Sequence, residues 1–128
     1  MKKIVISGST KMPDAVNYWM EYFKNEDYEI IDYPRIKNHE EVKDNYKNFY
    51  TALENTDVYF LINEEKNGVK GYIGASAIAE LTYVVVQNLI HNKNIEIYIL
   101  NEPSEEVLSY DEIKLYLEMG WIKLFNQK

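Results

Sequence analysis

The chain has 128 residues, of which 46% are hydrophobic, and it contains no cysteine. This length fits one domain, residues 1–128, with a sizeable core, and the lack of cysteine excludes disulfide scaffolds, thiolate zinc sites and cysteine nucleophiles. A net charge of −7 argues against DNA or RNA polymers as partners, because their binders need a dense basic surface. We expect a cytoplasmic protein without a membrane span, since polar residues interrupt the longest apolar-rich stretch, 73–90.

Apolar runs alternate with amphipathic segments along the first half of the chain. The β-branched run 3–7 predicts a buried strand, and Pro13 suits the first position of a helix. A second strand is predicted over 28–33, and Pro34 ends it because proline has no N–H to donate to a sheet. Segment 38–41 resembles a capping box and predicts the start of the second helix.

The second half continues the alternation after a polar, glycine-containing loop over 63–74. The elements predicted there are strand, helix, strand, helix and edge strand: Val58–Ile62, Ala75–His91, Ile95–Leu100, Ser109–Met119 and Trp121–Phe125. This order predicts an α/β fold, a three-layer sandwich with a mostly parallel five-stranded sheet, because parallel neighbours need crossover connections. The third helix is apolar nearly all round, so we expect another element or a second subunit to cover it.

Ligands of such sheets bind at the carboxyl ends of the strands. Three segments are expected at this edge: Ser7–Thr10, the loop 63–74 and the turn after Leu100. Small residues and hydroxyls before a helix suit a 5′-phosphate, although an ordinary strand-to-helix turn has the same composition. The first segment matches neither a Walker A loop nor a dinucleotide fingerprint.

The second candidate segment runs from Gly71 to Glu80. Its glycines allow close approach of the backbone to a ligand, and helical spacing places Ser76 and Tyr83 beside Glu80. A buried unpaired carboxylate is costly, so Glu80 faces either ordinary solvent or a polar cleft, and the residues alone leave both open. In a cleft, an ionised carboxylate would stabilise or trap the oxocarbenium-like sugar formed when an N-glycosidic bond breaks.

Four segments resemble the nucleoside 2-deoxyribosyltransferase-like superfamily, which includes deoxynucleoside-monophosphate N-glycosidases, and a prokaryotic branch of it in particular. They are Lys3–Ser9, Asn55–Asn63, Gly71–Glu80 and Ile95–Leu100. The first segment is weakly specific, and the third, placed after Asn63, is moderately specific. The resemblance spans most of the chain.

The resemblance implies a flavodoxin-like sheet and Glu80 as nucleophile or oxocarbenium stabiliser. It implies a nucleoside or nucleotide partner and a homodimer, and it implies no cofactor. The residues expected to bind substrate are Ser7, Gly8, Ser9, Asn63, Gly71, Tyr72, Gly74 and Ser76. We also expect no metal site, because His39 and His91 are isolated in the sequence.

The chain departs from the family where helper aspartates are expected. One such position falls at Phe49 or Tyr50 and another at Gly74, while Asp57 is expected at the opposite, amino edge of the sheet. The leading hypothesis is a nucleotide N-glycosidic bond hydrolase or deoxyribosyltransferase-like enzyme. The alternatives are a non-catalytic nucleotide-binding or sensing module and a partner-binding protein that uses the apolar face of 75–90.

Overall fold

A computed structural model of the chain describes residues 1–36 and 38–126. Strands and helices alternate strictly in this described part, which confirms the predicted order. The strands and helices are β1 (Lys3–Gly8), α1 (Pro13–Asn25), β2 (Glu29–Asp32), α2 (Val42–Asn55), β3 (Val58–Ile62), α3 (Ala75–His91), β4 (Glu96–Ile99), α4 (Tyr110–Glu118) and β5 (Lys123–Leu124).

The strands form one sheet in the order β2-β1-β3-β4-β5, and every neighbouring pair is parallel. The fold is therefore the predicted flavodoxin-like α/β sandwich. Strand β5 is shorter than the sequence indicates, because the backbone N–H groups of Trp121 and Ile122 donate to the Tyr116 carbonyl and close the end of α4 instead. Gly120 adopts φ +74° and permits that reversal of the chain.

Alternate residues of the strands supply two hydrophobic cores, one on each face of the sheet. Helix α1 packs Trp19 and Phe23 on one face, against Ile6 and Phe60 among others. Helices α2, α3 and α4 share the opposite face, where Leu53 and Leu81 belong to the larger core. Both faces of the central strands are therefore covered, as parallel strands require.

Helix α3 lies between α2 and α4, and this placement accounts for its apolar circumference. Tyr83 on α3 packs edge-on against Tyr50 of α2, and Thr82 hydrogen-bonds to Tyr116 of α4. Its valine run stays helical because tertiary packing overrides the weak strand preference of valine. Neighbouring helices of the same chain thus contact α3 at Thr82 and Tyr83, while Leu89 and Ile90 at its end are exposed.

The start of α2 follows the capping signal. The Asn38 side chain accepts a hydrogen bond from the Glu41 backbone N–H at 3.0 Å, and a single 3₁₀ turn over 39–41 leads into the helix. No helix in the described part of the chain is long and apolar enough to cross a membrane.

Candidate active site

A cleft of about 520 Å³ opens at the carboxyl edge of the sheet. It lies over β1, where the strand order reverses between β1 and β3, and such switch points are the usual ligand sites of doubly wound sheets. The segments that follow β1, β2 and β3 line it, together with the first turns of α3. The sheet topology thus brings the ends of three strands to one concave surface, to which α2 adds Phe49.

Most of the sequence-predicted site residues line this cleft: Ser7, Gly8, Ser9, Tyr72, Gly74, Ser76 and Glu80. Asn63 and Gly71 do not line it, and they pack behind its wall instead. The turn after β4, expected at the same edge, also contacts that inner layer rather than the cleft. In its place the segment after β2 forms one side of the cleft.

Glu80 is half-buried, and its carboxylate accepts a hydrogen bond from the hydroxyl of Ser7. The Oγ–Oε1 distance is 2.6 Å, in the range of charge-assisted bonds between a hydroxyl and a carboxylate. Ser7 is itself 2% exposed, so its side chain is fixed by packing at the end of β1. The first strand therefore orients the carboxylate of the third crossover helix within the cleft.

The charge of Glu80 affects the pKa values of two tyrosines on the inner side of the site. Burial, followed by the Glu80 carboxylate, raises the pKa of Tyr50 and raises the pKa of Tyr59 well above its usual value, while the nearby Ser7 hydroxyl lowers the pKa of Tyr59 by a smaller amount. Tyr59 is fully buried, and its hydroxyl has no hydrogen-bond partner in the described part of the chain. Glu80 thus borders a core of neutral phenols on this side.

The wall behind the cleft is held by the carboxamide of Asn63. Its Oδ1 accepts hydrogen bonds from the backbone N–H groups of Leu100 and Asn101, each at 2.9 Å, and its Nδ2 donates to the Asn101 carbonyl at 2.6 Å. Nδ2 also donates to the Gly71 carbonyl at 3.4 Å. This buried amide ties the end of β3 to the end of β4 and to the loop before α3.

Gly71 has φ +64°, and a Cβ atom there would lie 2.5 Å from the Glu102 carbonyl oxygen. Both the left-handed backbone and the close approach require glycine. Asn63 and Gly71 therefore position Tyr72 and Gly74, which face the cleft, and do not themselves face it.

The segment after β2 contributes residues that were not among the site residues predicted from the sequence. Arg35 lines the cleft, and its guanidinium donates to the buried carboxylate of Asp32 at 2.7 Å and lies 4.6 Å from the ring centroid of Tyr33. The sequence could have indicated Arg35, because it is the only arginine of the chain and directly follows Pro34, where a strand is predicted to end at the ligand edge of the sheet.

A second cation lies on the other side of the cleft, beside α3. The Lys66 ammonium is 4.8 Å from the ring centroid of Tyr72, and that ring in turn packs against Gly74. Among the described residues that line the cleft, Arg35 and Lys66 are basic and Glu80 is the sole acid. Lys66 therefore balances Glu80 in the lining, while the charge of Arg35 is offset by the Asp32 carboxylate bonded to it.

The family resemblance leads us to expect helper aspartates at Phe49 or Tyr50 and at Gly74. Of these residues Phe49 and Gly74 line the cleft, and Tyr50 does not. Asp57 accepts a hydrogen bond from the Lys3 backbone N–H at the amino edge of the sheet, which is opposite to the cleft. The described residues contain no cluster of three or more acidic or histidine side chains that could hold a metal ion.

Comparison with solved structures finds a similar fold in the CMP N-glycosidase BcmB of Clostridium botulinum. The two chains superpose with a TM-score of 0.61 at 10% sequence identity, and the match covers 98% of this chain and 91% of that chain. No protein-family model and no curated protein sequence matches the chain. At this identity the similarity establishes the fold.

Proposed function

We propose that this protein cleaves the N-glycosidic bond of a small nucleotide, with Glu80 as the nucleophile or oxocarbenium stabiliser. The observation that carries the proposal is the position of Glu80, whose carboxylate lies in the switch-point cleft and accepts the Ser7 hydroxyl. The similar fold of a CMP N-glycosidase supports the same class of reaction. Hydrolysis and transfer of the sugar to a second base share this first step.

The chemistry follows from the charges of the cleft. The Glu80 carboxylate attacks C1′ of the sugar while the bond from C1′ to the base nitrogen breaks, and the electron pair leaves with the base. The hydrogen bond from Ser7 orients the carboxylate for this attack. Water, or a second base, then takes the sugar from Glu80 and restores the carboxylate.

The anionic end of the substrate fits the side of the cleft beside α3. Lys66 supplies a positive charge there, and Ser76 and the first backbone N–H groups of α3 supply hydrogen-bond donors. Helix α3 begins at Ala75 without an acidic residue in its first turn, so no side chain there repels a phosphate. A nucleoside monophosphate is therefore the substrate to test first.

The substitution Glu80→Gln tests the proposal directly. It keeps the size of the side chain and removes its charge, and we expect the release of free base from nucleoside monophosphates to fall at least about a hundredfold. Chromatographic detection of the base measures this rate, and circular dichroism checks that the variant is folded. The matched control is Glu21→Gln, a carboxylate on the exposed side of α1, which should leave the rate unchanged. Base release by Glu80→Gln at the wild-type rate contradicts the mechanism.

A second candidate function is nucleotide binding without cleavage. The observation that favours it is the apolar Phe49 at a position where a proton-donating aspartate is expected. In that case nucleotides raise the melting temperature of the protein and no base is released. Base release that requires Glu80 excludes this alternative.

A further inference from the structure

The hydroxyl of Tyr59 is a buried polar group beside the site that takes no part in the bond-breaking step itself. Tyr59 is 0% exposed, and its hydroxyl has no hydrogen-bond partner in the described part of the chain. Most buried hydroxyls in folded proteins are paired, because an unpaired one lowers stability. A phenylalanine would fill the same space without this loss, so packing alone does not account for a tyrosine at this position.

This hydroxyl lies behind the pair formed by Ser7 and Glu80. In the parallel ladder of β1 and β3, Tyr59 is opposite Val5, two residues before Ser7, so the Tyr59 and Ser7 side chains share one face of the sheet. Burial and the Glu80 carboxylate raise the pKa of Tyr59, and the Ser7 hydroxyl lowers it, as expected of close neighbours. The phenol is too deeply buried to touch a substrate, so it can act on the reaction only through these neighbours.

Ser7 has the hydrogen-bonding capacity to serve both Glu80 and Tyr59. Its hydroxyl carries one proton, which it donates to Glu80 at 2.6 Å, and its oxygen has two lone pairs that accept. The Tyr59 hydroxyl is thus a donor without an acceptor, and the Ser7 Oγ beside it is an acceptor. We infer that Tyr59 is a positioning residue, whose hydroxyl donates to Ser7 as Glu80 bonds to C1′ of the sugar. This inference rests on the proposed function, with Glu80 as the nucleophile.

The loss of charge at Glu80 is the reason for this new bond. In the free protein the carboxylate draws the Ser7 hydroxyl into a short bond, about twice as strong as a bond between neutral groups. When Glu80 bonds to C1′ and the electron pair leaves with the base, the carboxylate becomes a neutral ester. Ser7 is then held less tightly and accepts from Tyr59, while each hydroxyl keeps its own proton. A hydrogen bond that forms only as the charge disappears stabilises the transition state more than the free protein, and so raises the rate.

The substitution Tyr59→Phe tests the inference with the nucleoside monophosphate that the wild-type protein cleaves fastest. We expect kcat and kcat/KM to fall together, about three- to tenfold, because one hydrogen bond of the transition state is lost. KM should stay the same. The control Tyr116→Phe removes a hydroxyl that is bonded to Thr82, outside the cleft lining, and should keep both parameters. Unchanged kinetics in Tyr59→Phe, or a rise in KM at constant kcat, overturns the inference.

The path through Ser7 is tested by combining two variants. In Ser7→Ala the phenol has no oxygen to donate to, so adding Tyr59→Phe should lower kcat by less than about twofold further. A purely structural role of the phenol would not depend on Ser7. If Tyr59→Phe causes the same loss with and without the Ser7 hydroxyl, Tyr59 does not act through it and the inference is wrong.

Urea unfolding tests the same bond without any turnover. The substitution Glu80→Gln gives a neutral side chain of the same size, which stands in for the carboxylate after its charge is lost. We expect Tyr59→Phe to lower the urea midpoint by about 0.5 M in the Glu80→Gln background and not to lower it in the wild-type background, since only the first has the bond to lose. An equal change in both backgrounds overturns the inference.

The two kinds of measurement keep the inference distinct from the proposed function. If the wild-type protein releases no base, or if Glu80→Gln releases it at the wild-type rate, the proposed function has failed. The unfolding midpoints then still decide whether the charge of Glu80 controls the bond between Tyr59 and Ser7. If base release requires Glu80 and Tyr59→Phe has wild-type kinetics, only the inference has failed.

Discussion

The hydroxyls of Ser7 and Tyr59 both lie near the Glu80 carboxylate, but only the Ser7 hydroxyl makes a hydrogen bond of normal geometry. The Ser7 hydroxyl donates to Glu80 at 2.6 Å, whereas the Tyr59 hydroxyl is buried with no hydrogen-bond partner in residues 1–36 and 38–126. A buried polar group that lacks a partner costs about 1–3 kcal/mol of folding free energy. The Ser7 hydroxyl lies close enough to lower the pKa of Tyr59 but makes no bond of normal geometry with it, so the ring of Tyr59 contributes most of its stabilisation.

The substitution Tyr59→Phe should therefore leave the free energy of unfolding unchanged or raise it by up to about 1 kcal/mol, because it removes only the unpaired hydroxyl. The matched control is Tyr116→Phe, which removes a hydroxyl bonded to Thr82 at 2.9 Å and should lower that free energy by about 1 kcal/mol. Urea unfolding of both variants measures the difference. Equal losses in the two variants would show that the Tyr59 hydroxyl contributes a bond after all.

At the level of single residues, the sequence predicted the position of Glu80 in the fold but not its partner. The helical spacing selected Ser76 and Tyr83 as neighbours, which share its helix. Ser7 comes from a strand 73 positions away, and only the packing of α3 on the sheet brings the two together. Contacts of this kind depend on tertiary packing, which periodicity within one element does not describe.

Among the elements, the loop from β3 to α3 shows how the backbone holds the cleft. Gly71 and Gly68 both have positive φ, +64° and +78°, but they differ in their surroundings. A Cβ atom at Gly71 would lie 2.6 Å from the Pro103 Cα, whereas no heavy atom lies within 4 Å of a Cβ at Gly68. The same residue type thus has a packing role at one position and only a turn role at the other.

These surroundings make Gly71→Ala and Gly68→Ala a matched pair. Both variants carry the strain of a positive φ, about 1–2 kcal/mol, and Gly71→Ala alone forces the loop away from the turn after β4. We expect Gly71→Ala to lose at least about 2 kcal/mol more than Gly68→Ala in urea unfolding, and to weaken nucleotide binding as Tyr72 moves. If the two variants have the same stability, the tight contact at Gly71 does not hold the loop.

The elements themselves were predictable because each depends on a local signal. The run 58–62 is apolar on both faces, Pro13 begins a helix, and Asn38 caps a turn, and each of these signals lies in residues close together in the sequence. The roles of the loop residues were harder to predict from the sequence. Asn63 follows a strand at the ligand edge, and this position predicts contact with substrate. Its side chain instead accepts hydrogen bonds from the backbone N–H groups of Leu100 and Asn101, which follow β4.

At the scale of the whole molecule, the net charge of the chain does not describe the charges that line the cleft. The chain carries −7, which argues against polymeric nucleic acids, yet two basic side chains, Arg35 and Lys66, line the cleft beside Glu80. A single phosphate needs only a few local donors, so an acidic protein binds a nucleotide without difficulty. Composition therefore excludes a class of large partner and gives no information on a small one.

The whole molecule also determines how the protein responds to alkali. The pKa values of Tyr50, Tyr59 and Tyr98 are raised in the folded state, with burial as the largest cause of each. Above about pH 10 the unfolded chain loses phenol protons that the native state retains, so the native state binds more protons. Stability from this source is fully present below that pH, and it falls as the pH rises toward the folded values.

We therefore expect the melting temperature to fall steeply above about pH 10 in wild-type protein and less steeply in Tyr59→Phe, which lacks the fully buried phenol. Thermal unfolding followed by circular dichroism between about pH 8 and pH 11 measures the slope. The control is Tyr18→Phe, which removes a phenol from the exposed side of α1 and should retain the wild-type slope. If Tyr59→Phe retains it as well, the Tyr59 phenol does not contribute to the alkaline loss, and the decline belongs to the less buried tyrosines.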